Sequence, residues 1–216
     1  LNDLAPTFLE LAGLDAPASM IGQSLCKILF SGKSGRVEKE RDFVITARER
    51  HAWCREGGLG YPARAIRTDD YLYIRNYEPQ RWPAGDPPLF GDIDPVRMHY
   101  YGPTKEYMMS HKDDPRVRRL YELAFLKRPA EELYDLKTDP YQINNVAGEK
   151  EYEQIKQRLS KRMNNYLKST GDPRALGKKD KIIWDDAKYY REKVKIAHPR
   201  KGAIEKFNLK KEYDFR

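Results

Sequence analysis

The sequence predicts an α+β fold: a small antiparallel β-sheet, a long C-terminal helix packed on it, and a separate helix at the N-terminus. Three observations carry this reading. Short runs of β-forming residues recur at 43–47, 64–68, 71–76 and 132–136. Two of them flank a two-residue break, Asp69-Asp70, which is the spacing of a hairpin. Between 149 and 168, Tyr152, Ile155, Leu159, Met163, Tyr166 and Leu167 return at steps of three and four, the period of one helix face.

The elements follow in order. Residues 2–12 predict a helix with Asn2 or Asp3 at its cap, Pro6 in the first turn and Gly13 as its stop. Leu4, Phe8 and Leu11 share one side of it. Residues 14–40 read as an irregular connector. "FVITA" is a strand, and the glycines of "REGGLG" make the next stretch a loop. In the hairpin, direct pairing sets Thr68 opposite Tyr71, Ile66 opposite Tyr73 and Arg64 opposite Arg75. Ala65, Arg67, Leu72 and Ile74 then share the other face, which we expect to meet the core. Facing arginines repel modestly, so they either splay into water or meet a carboxylate or bound anion. Residues 79–118 are rich in Pro, Gly, Asp and Tyr and read as a long insertion. "YELAFLK" is a short helix, and "EELYDL" is a strand ending at "KTDP". Gly171 and Pro173 stop the long helix.

Composition narrows the function classes. The chain has 216 residues, 39% hydrophobic and 34% charged, enough for one core. No run approaches the roughly 18 apolar residues of a membrane span. The first residues carry no basic leader, and with no initiating Met the chain is expected to be a fragment or processed product. The net charge is +8, and the segment from Arg174 onward holds 14 Lys+Arg against 7 Asp+Glu. Such a basic stretch meets phosphates, sulfates or acidic lipid heads, or stays solvated. Cys26 and Cys54 form neither a C-x-x-C nor a zinc spacing with the four histidines, and a disulfide between them stays open. G-x-S-x-G, H-E-x-x-H, the P-loop and G-x-G-x-x-G are all absent. The acid pairs Asp69-Asp70, Asp113-Asp114 and Asp185-Asp186 are not ready metal sites, because neighbouring strand residues point to opposite faces.

Three segments carry a resemblance. "LNDLAPTFLELAGLDAPASMIGQSL" resembles a late stretch of sulfatase chains, D-x-x-P-T-x-L-x-L-A-G followed by P-x-x-x-x-G-x-S-L. "YPARAIRTDDYLYIRN" resembles the hairpin that opens their C-terminal subdomain. "ELYDLKTDPYQINNVA" matches E-L-Y-D-L-x-x-D-P-x-x-x-x-N-x-A. They stand in the family's order and cover about Leu1 to Arg174. "GYPARAIRT", "RPAEELYDL" and "TGDPR" are most similar to the heparan N-sulfatase-like branch.

The resemblance implies that 1–40 is the tail end of an N-terminal α/β domain, 41–173 a C-terminal subdomain and 174–216 a basic extension. It implies a calcium ion and a formylglycine in the catalytic half, the latter made from Cys in C-x-P-S-R. Neither Cys26 in "SLCKIL" nor Cys54 in "AWCREGG" has that setting. The chain is therefore expected to bind no cofactor and to contribute substrate recognition rather than catalysis. Its expected partners are a sulfatase N-terminal half and a sulfated carbohydrate, with no nucleic acid and no membrane, in a periplasmic or extracellular setting. The loop "TARERHAWCREGG" supplies the candidate substrate-binding residues: His51 for a hydroxyl or sulfate, Arg50 and Arg55 to fork a sulfate or carboxylate. Arg64 is a fourth candidate, expected in part to tie strands to acids. The competing readings are a stand-alone polyanion- or nucleic-acid-binding module and a structural domain docking on a partner enzyme.

Overall fold

The computed structural model describes residues 2–51, 54–93 and 103–177. The chain forms two compact units, Leu1–Val44 and Ile45–Arg216. In the first, helix α1 runs Leu4–Leu11 and the connector contains a single-turn helix, α2, Cys26–Leu29. Gly13, at φ 73°, ends α1 as expected. The expected cap differs. Asp3 occupies the cap position but makes no side-chain bond to the helix. Its carboxylate instead accepts from the Gln23 N–H and from Arg41, both at 2.9 Å. Two charged or long-range partners outcompete a local cap. Thr7 Oγ1 donates to the Asp3 carbonyl and accepts from the Leu25 N–H at 2.9 Å. The Asp and Thr of the first motif thus hold the G-x-S-L that follows. Gly22 is needed there because a Cβ would stand 2.1 Å from the Asn2 carbonyl oxygen.

The second unit is built on a four-stranded sheet in the order β1-β2-β3-β4. The strands are β1 Val44–Arg48, β2 Ala63–Arg67, β3 Tyr71–Asn76 and β4 Glu131–Asp135. β3 runs antiparallel to both β2 and β4. The register is the expected one, with Arg64 opposite Arg75 and Ile66 opposite Tyr73. Thr68 closes the hairpin, its N–H donating to the Tyr71 carbonyl at 2.9 Å. Neither Asp69 nor Asp70 adopts positive φ, so the turn avoids the conformation that favours glycine. Helix α5, Glu153–Ser169, packs across the sheet with Leu159, Met163 and Leu167 buried.

The expected core face is corrected. Ile66, Tyr73 and Leu133 are fully buried, while Ala65, Leu72 and Ile74 on the other face are only half-buried. Ile66 and Tyr73 offer α5 more apolar area than Ala65 does. Burying Tyr73 leaves no orphan hydroxyl, because it donates to Glu131 and lies 3.3 Å from Ser160 Oγ.

The long insertion contains helix α3, Pro103–Ser110, and the helix expected near 121 starts earlier, as α4, Pro115–Phe125. Asp114 caps α4 by accepting from the Arg116 N–H at 2.9 Å, with Pro115 at the first helical position. The loop before them folds onto the helices through Phe90, whose ring centroid is 5.0 Å from that of Phe125. A final turn, α6 Pro173–Leu176, follows α5. The expected basic extension lies outside the described residues beyond 177, as does the acid pair Asp185-Asp186. Cys26 and Cys54 are free thiols.

Candidate functional site

The face of the sheet turned away from α5 forms the floor of an open cleft of about 860 Å³. Leu72, Ile74 and Tyr134 line the floor, and Arg48, Arg50 and His51 line one wall. Strand β1 ends at Arg48, so its last side chain and the loop after it fall beside the sheet rather than within it. Asp92 and Ile93 come from the loop before α3.

Asp92 organises this wall. Its side chain is only 1% exposed, and it accepts from three groups. Arg48 is one. His51 Nδ1 lies 3.0 Å from Oδ1, and Arg55 Nη2 lies 2.6 Å from Oδ2. Arg55 also donates to the carbonyls of Trp82 and Pro83, both at 2.7 Å, and its guanidinium sits 5.6 Å over the Tyr61 ring. Burial pushes the Tyr61 hydroxyl up to about 12. Nearby, Cys54 packs under Gly85, where a Cβ would come within 2.8 Å of its sulfur. Burial raises that thiol to about 11, which keeps it protonated and unreactive at neutral pH.

A second ion cluster fixes the root of the same wall. Arg64 donates to Asp172 at 2.8 Å and to Glu49 at 2.7 Å. Arg174 donates to Glu49 at 2.7 Å, and Asp172 caps α6 by accepting from the Arg174 N–H. The residues of "TGDPR" therefore clamp the end of α5 to the strand that carries Arg48. Arg64 is held by carboxylates, which relieves its position opposite Arg75, and both guanidiniums also lie over the Tyr77 ring.

The four candidate residues thus have different settings. His51 and Arg50 line the cleft. The Arg55 and Arg64 side chains are only 2% and 3% exposed, and both are engaged by acids and carbonyls of the chain. Sequence reasoning missed Arg48 and Asp92. Arg48 follows directly from the end of the predicted strand, whereas nothing in "FGDID" marks Asp92 as the carboxylate that gathers Arg48, His51 and Arg55. The calcium and formylglycine implied by the resemblance do not fit the residues present. Among the described residues no group of three or more His, Cys, Asp or Glu side chains is placed to hold a metal ion. Both cysteines lack the C-x-P-S-R setting.

What the arrangement offers chemically is an anion-facing wall. The Arg48 and His51 side chains are 42% and 68% exposed, while the Asp92 side chain that holds both is 1% exposed. The guanidinium and the imidazole reach the solvent and the Asp92 carboxylate does not.

No protein-family model matches the chain. Two ulvan-active sulfatases of Formosa agariphila are similar to it. One is 30% identical over 172 residues, 79% of this chain and 29% of that protein. The other is 28% identical over 186 residues, 85% of this chain and 28% of that protein. The chain therefore spans less than a third of the length of these curated relatives. Among solved structures, a 2-O GAG sulfatase matches 82% of this chain and 26% of its own, at 22% identity and a TM-score of 0.48. A phosphonate monoester hydrolase of Agrobacterium radiobacter matches 78% and 24%, at 17% identity and a TM-score of 0.45. On these curated relatives the chain belongs to the sulfatase family, and its coverage of them is consistent with a C-terminal portion of such an enzyme.

Proposed function

We propose that this chain is the substrate-recognition portion of a hydrolase acting on sulfated sugars, through sulfate-ester or sulfamate cleavage, and that the reacting groups belong to an N-terminal half. The observation that carries the reading is the cleft wall, where Arg48 and His51 are exposed over one buried carboxylate, Asp92. An arginine fork matches a sulfate or carboxylate in geometry as well as charge. A ring nitrogen of His51 suits a sugar hydroxyl, and Arg50 lines the same wall. Two relatives named ulvan-active sulfatases support the sulfated-glycan class, and the motif similarity favours a heparan-sulfate-like ligand within it. Arg55 and Arg64 then serve the site by holding its wall. Calcium and formylglycine belong to the proposed catalytic half, and the setting is periplasmic or extracellular. No described helix is long and apolar enough to cross a membrane.

The test is binding of the full chain to a sulfated oligosaccharide and to its desulfated counterpart, in wild type, Arg48→Ala and His51→Ala. We expect sulfation to be required and each substitution to weaken binding by roughly tenfold, the cost of one hydrogen bond to a charged group. Equal binding of both sugars, or variants that bind like wild type, would overturn the reading. A nucleic-acid-binding module would instead hold a DNA oligomer of matched charge at least as tightly and ignore both substitutions. With an aryl sulfate and calcium, the chain alone is expected to show no turnover. Activity that survives repurification and is lost in a point variant of this chain would refute that expectation.

A further inference from the structure

We infer that Asp92 is a positioning residue for the cleft: it fixes the His51 ring so that Nδ1 carries the hydrogen and Nε2 is presented to the ligand. For the ligand's identity this rests on the reading of the cleft as a sulfated-sugar site. The ring geometry stands apart from that reading. A carboxylate only accepts, so the contact at 3.0 Å between Asp92 Oδ1 and His51 Nδ1 requires the hydrogen on Nδ1. Asp92 is itself held hard. Its other oxygen takes Arg48 and Arg55, and its side chain is 1% exposed. The loop that carries it is pinned from behind by Lys105, whose ammonium donates to the carbonyls of Leu89, Phe90 and Ile93 at 2.7, 2.9 and 2.5 Å. The Asp92 N–H donates to the Ala84 carbonyl at 2.9 Å, and Phe90 is anchored among Tyr121 and Phe125. A mobile surface carboxylate would not select a tautomer; one locked from three sides does.

The same carboxylate aligns Arg48 beside the ring, so one buried acid orders the two exposed donors of the wall. With the ring neutral, Nε2 then accepts from a sugar hydroxyl while the Arg48 guanidinium donates to an anionic group.

The experiment is nitrogen-detected NMR of the 216-residue chain with labelled histidine, where His51→Gln assigns one of four imidazoles. With the ring neutral, wild type is expected to show His51 as the Nδ1–H form, against the ordinary preference for Nε2–H. Asp92→Asn is expected to move it toward Nε2–H. A wild-type ring in the Nε2–H form overturns the inference whether or not Asp92→Asn folds. The second measurement is affinity for a sulfated oligosaccharide. If Asp92 acts by orienting the donors, Asp92→Asn weakens binding by roughly tenfold, although it removes a negative charge. It should cost less in the His51→Ala background, because the two act through one contact. Tighter binding in Asp92→Asn would show that its charge matters and its positioning does not, which overturns the proposal. If no sugar binds wild type, the sulfated-sugar reading fails, and the tautomer decides the positioning role alone.

Discussion

Arg64 shows how a cation can be decisive for a site without touching a ligand. Its side chain is 3% exposed, and its donors meet Asp172, Glu49 and the Arg48 carbonyl. Removing such a group takes a largely buried partner from Glu49 and Asp172, each only 14% exposed, and breaking a buried pair from one side typically costs about 3–5 kcal/mol. Arg64→Ala should therefore lower the urea midpoint strongly, while Arg116→Ala should barely change it. Arg116 also pairs with an acid, Asp114 at 2.7 Å, but its side chain is 83% exposed and water screens the pair. If both variants unfold at the same urea concentration, the division between buried and surface ion pairs is wrong here. The sequence could not have separated these two arginines. Both stand near acids in the chain or in space, and only the position of α6 against β1 decides which one is buried.

Elements were far more legible than side-chain environments. The period of α5, the hairpin break at Asp69-Asp70 and the "EELYDL" strand each rest on local patterns that tertiary packing did not override. The third motif has a local cause as well. Asn145 Oδ1 accepts from the N–H groups of Leu133 and Ala147 at 2.8 and 3.0 Å, and Asp139 Oδ2 accepts from those of Ile143 and Asn144, both at 2.8 Å. These contacts fold the chain after β4 back along that strand. What failed was the choice of buried face, because both faces of the hairpin carry apolar residues and the deciding partner, α5, lies eighty residues away. The core under that helix offers a direct check. Met163 is fully buried against the sheet, and truncating a buried Met to Ala typically costs about 2–5 kcal/mol. Met163→Ala should destabilise the chain by that order in denaturant titration, whereas Leu72→Ala, on the half-buried cleft floor, should cost clearly less. The reverse order would restore the face first expected from the sequence.

At the scale of the molecule, two properties follow from what is buried and what is not. Phe8, Leu11, Leu14, Leu29 and Phe30 are all more than half exposed in the first unit. Apolar surface of that kind favours association, so the isolated chain should bind a hydrophobic dye and scatter light as more than a monomer. Phe8→Ser with Phe30→Ser should reduce both signals. The second property is alkaline sensitivity. Burial, with the Glu131 contact second, raises Tyr73 from an ordinary 10.0 to about 12, and burial raises Tyr61 to about 12 as well. Cys54 moves from 9.0 to about 11 for the same reason. Tyr134 also shifts upward, first through burial and then through its bond to Glu132. Each group keeps its proton longer in the folded chain than in the unfolded one. As pH rises past 9.0 and 10.0 the unfolded chain releases these protons first, and stability falls until the folded values are passed near 11 and 12. The stabilisation is fully present at neutral pH and is lost only on the alkaline side. The urea midpoint should therefore drop between neutral pH and a pH lying between the two sets of values. Tyr61→Phe is the informative variant, since its buried hydroxyl has no hydrogen-bond partner among the described residues and removing it leaves no polar group stranded. It should fold as well as wild type at neutral pH and lose less stability on going alkaline. A Tyr61→Phe chain whose alkaline loss matches wild type would show that this phenol does not contribute to the pH dependence.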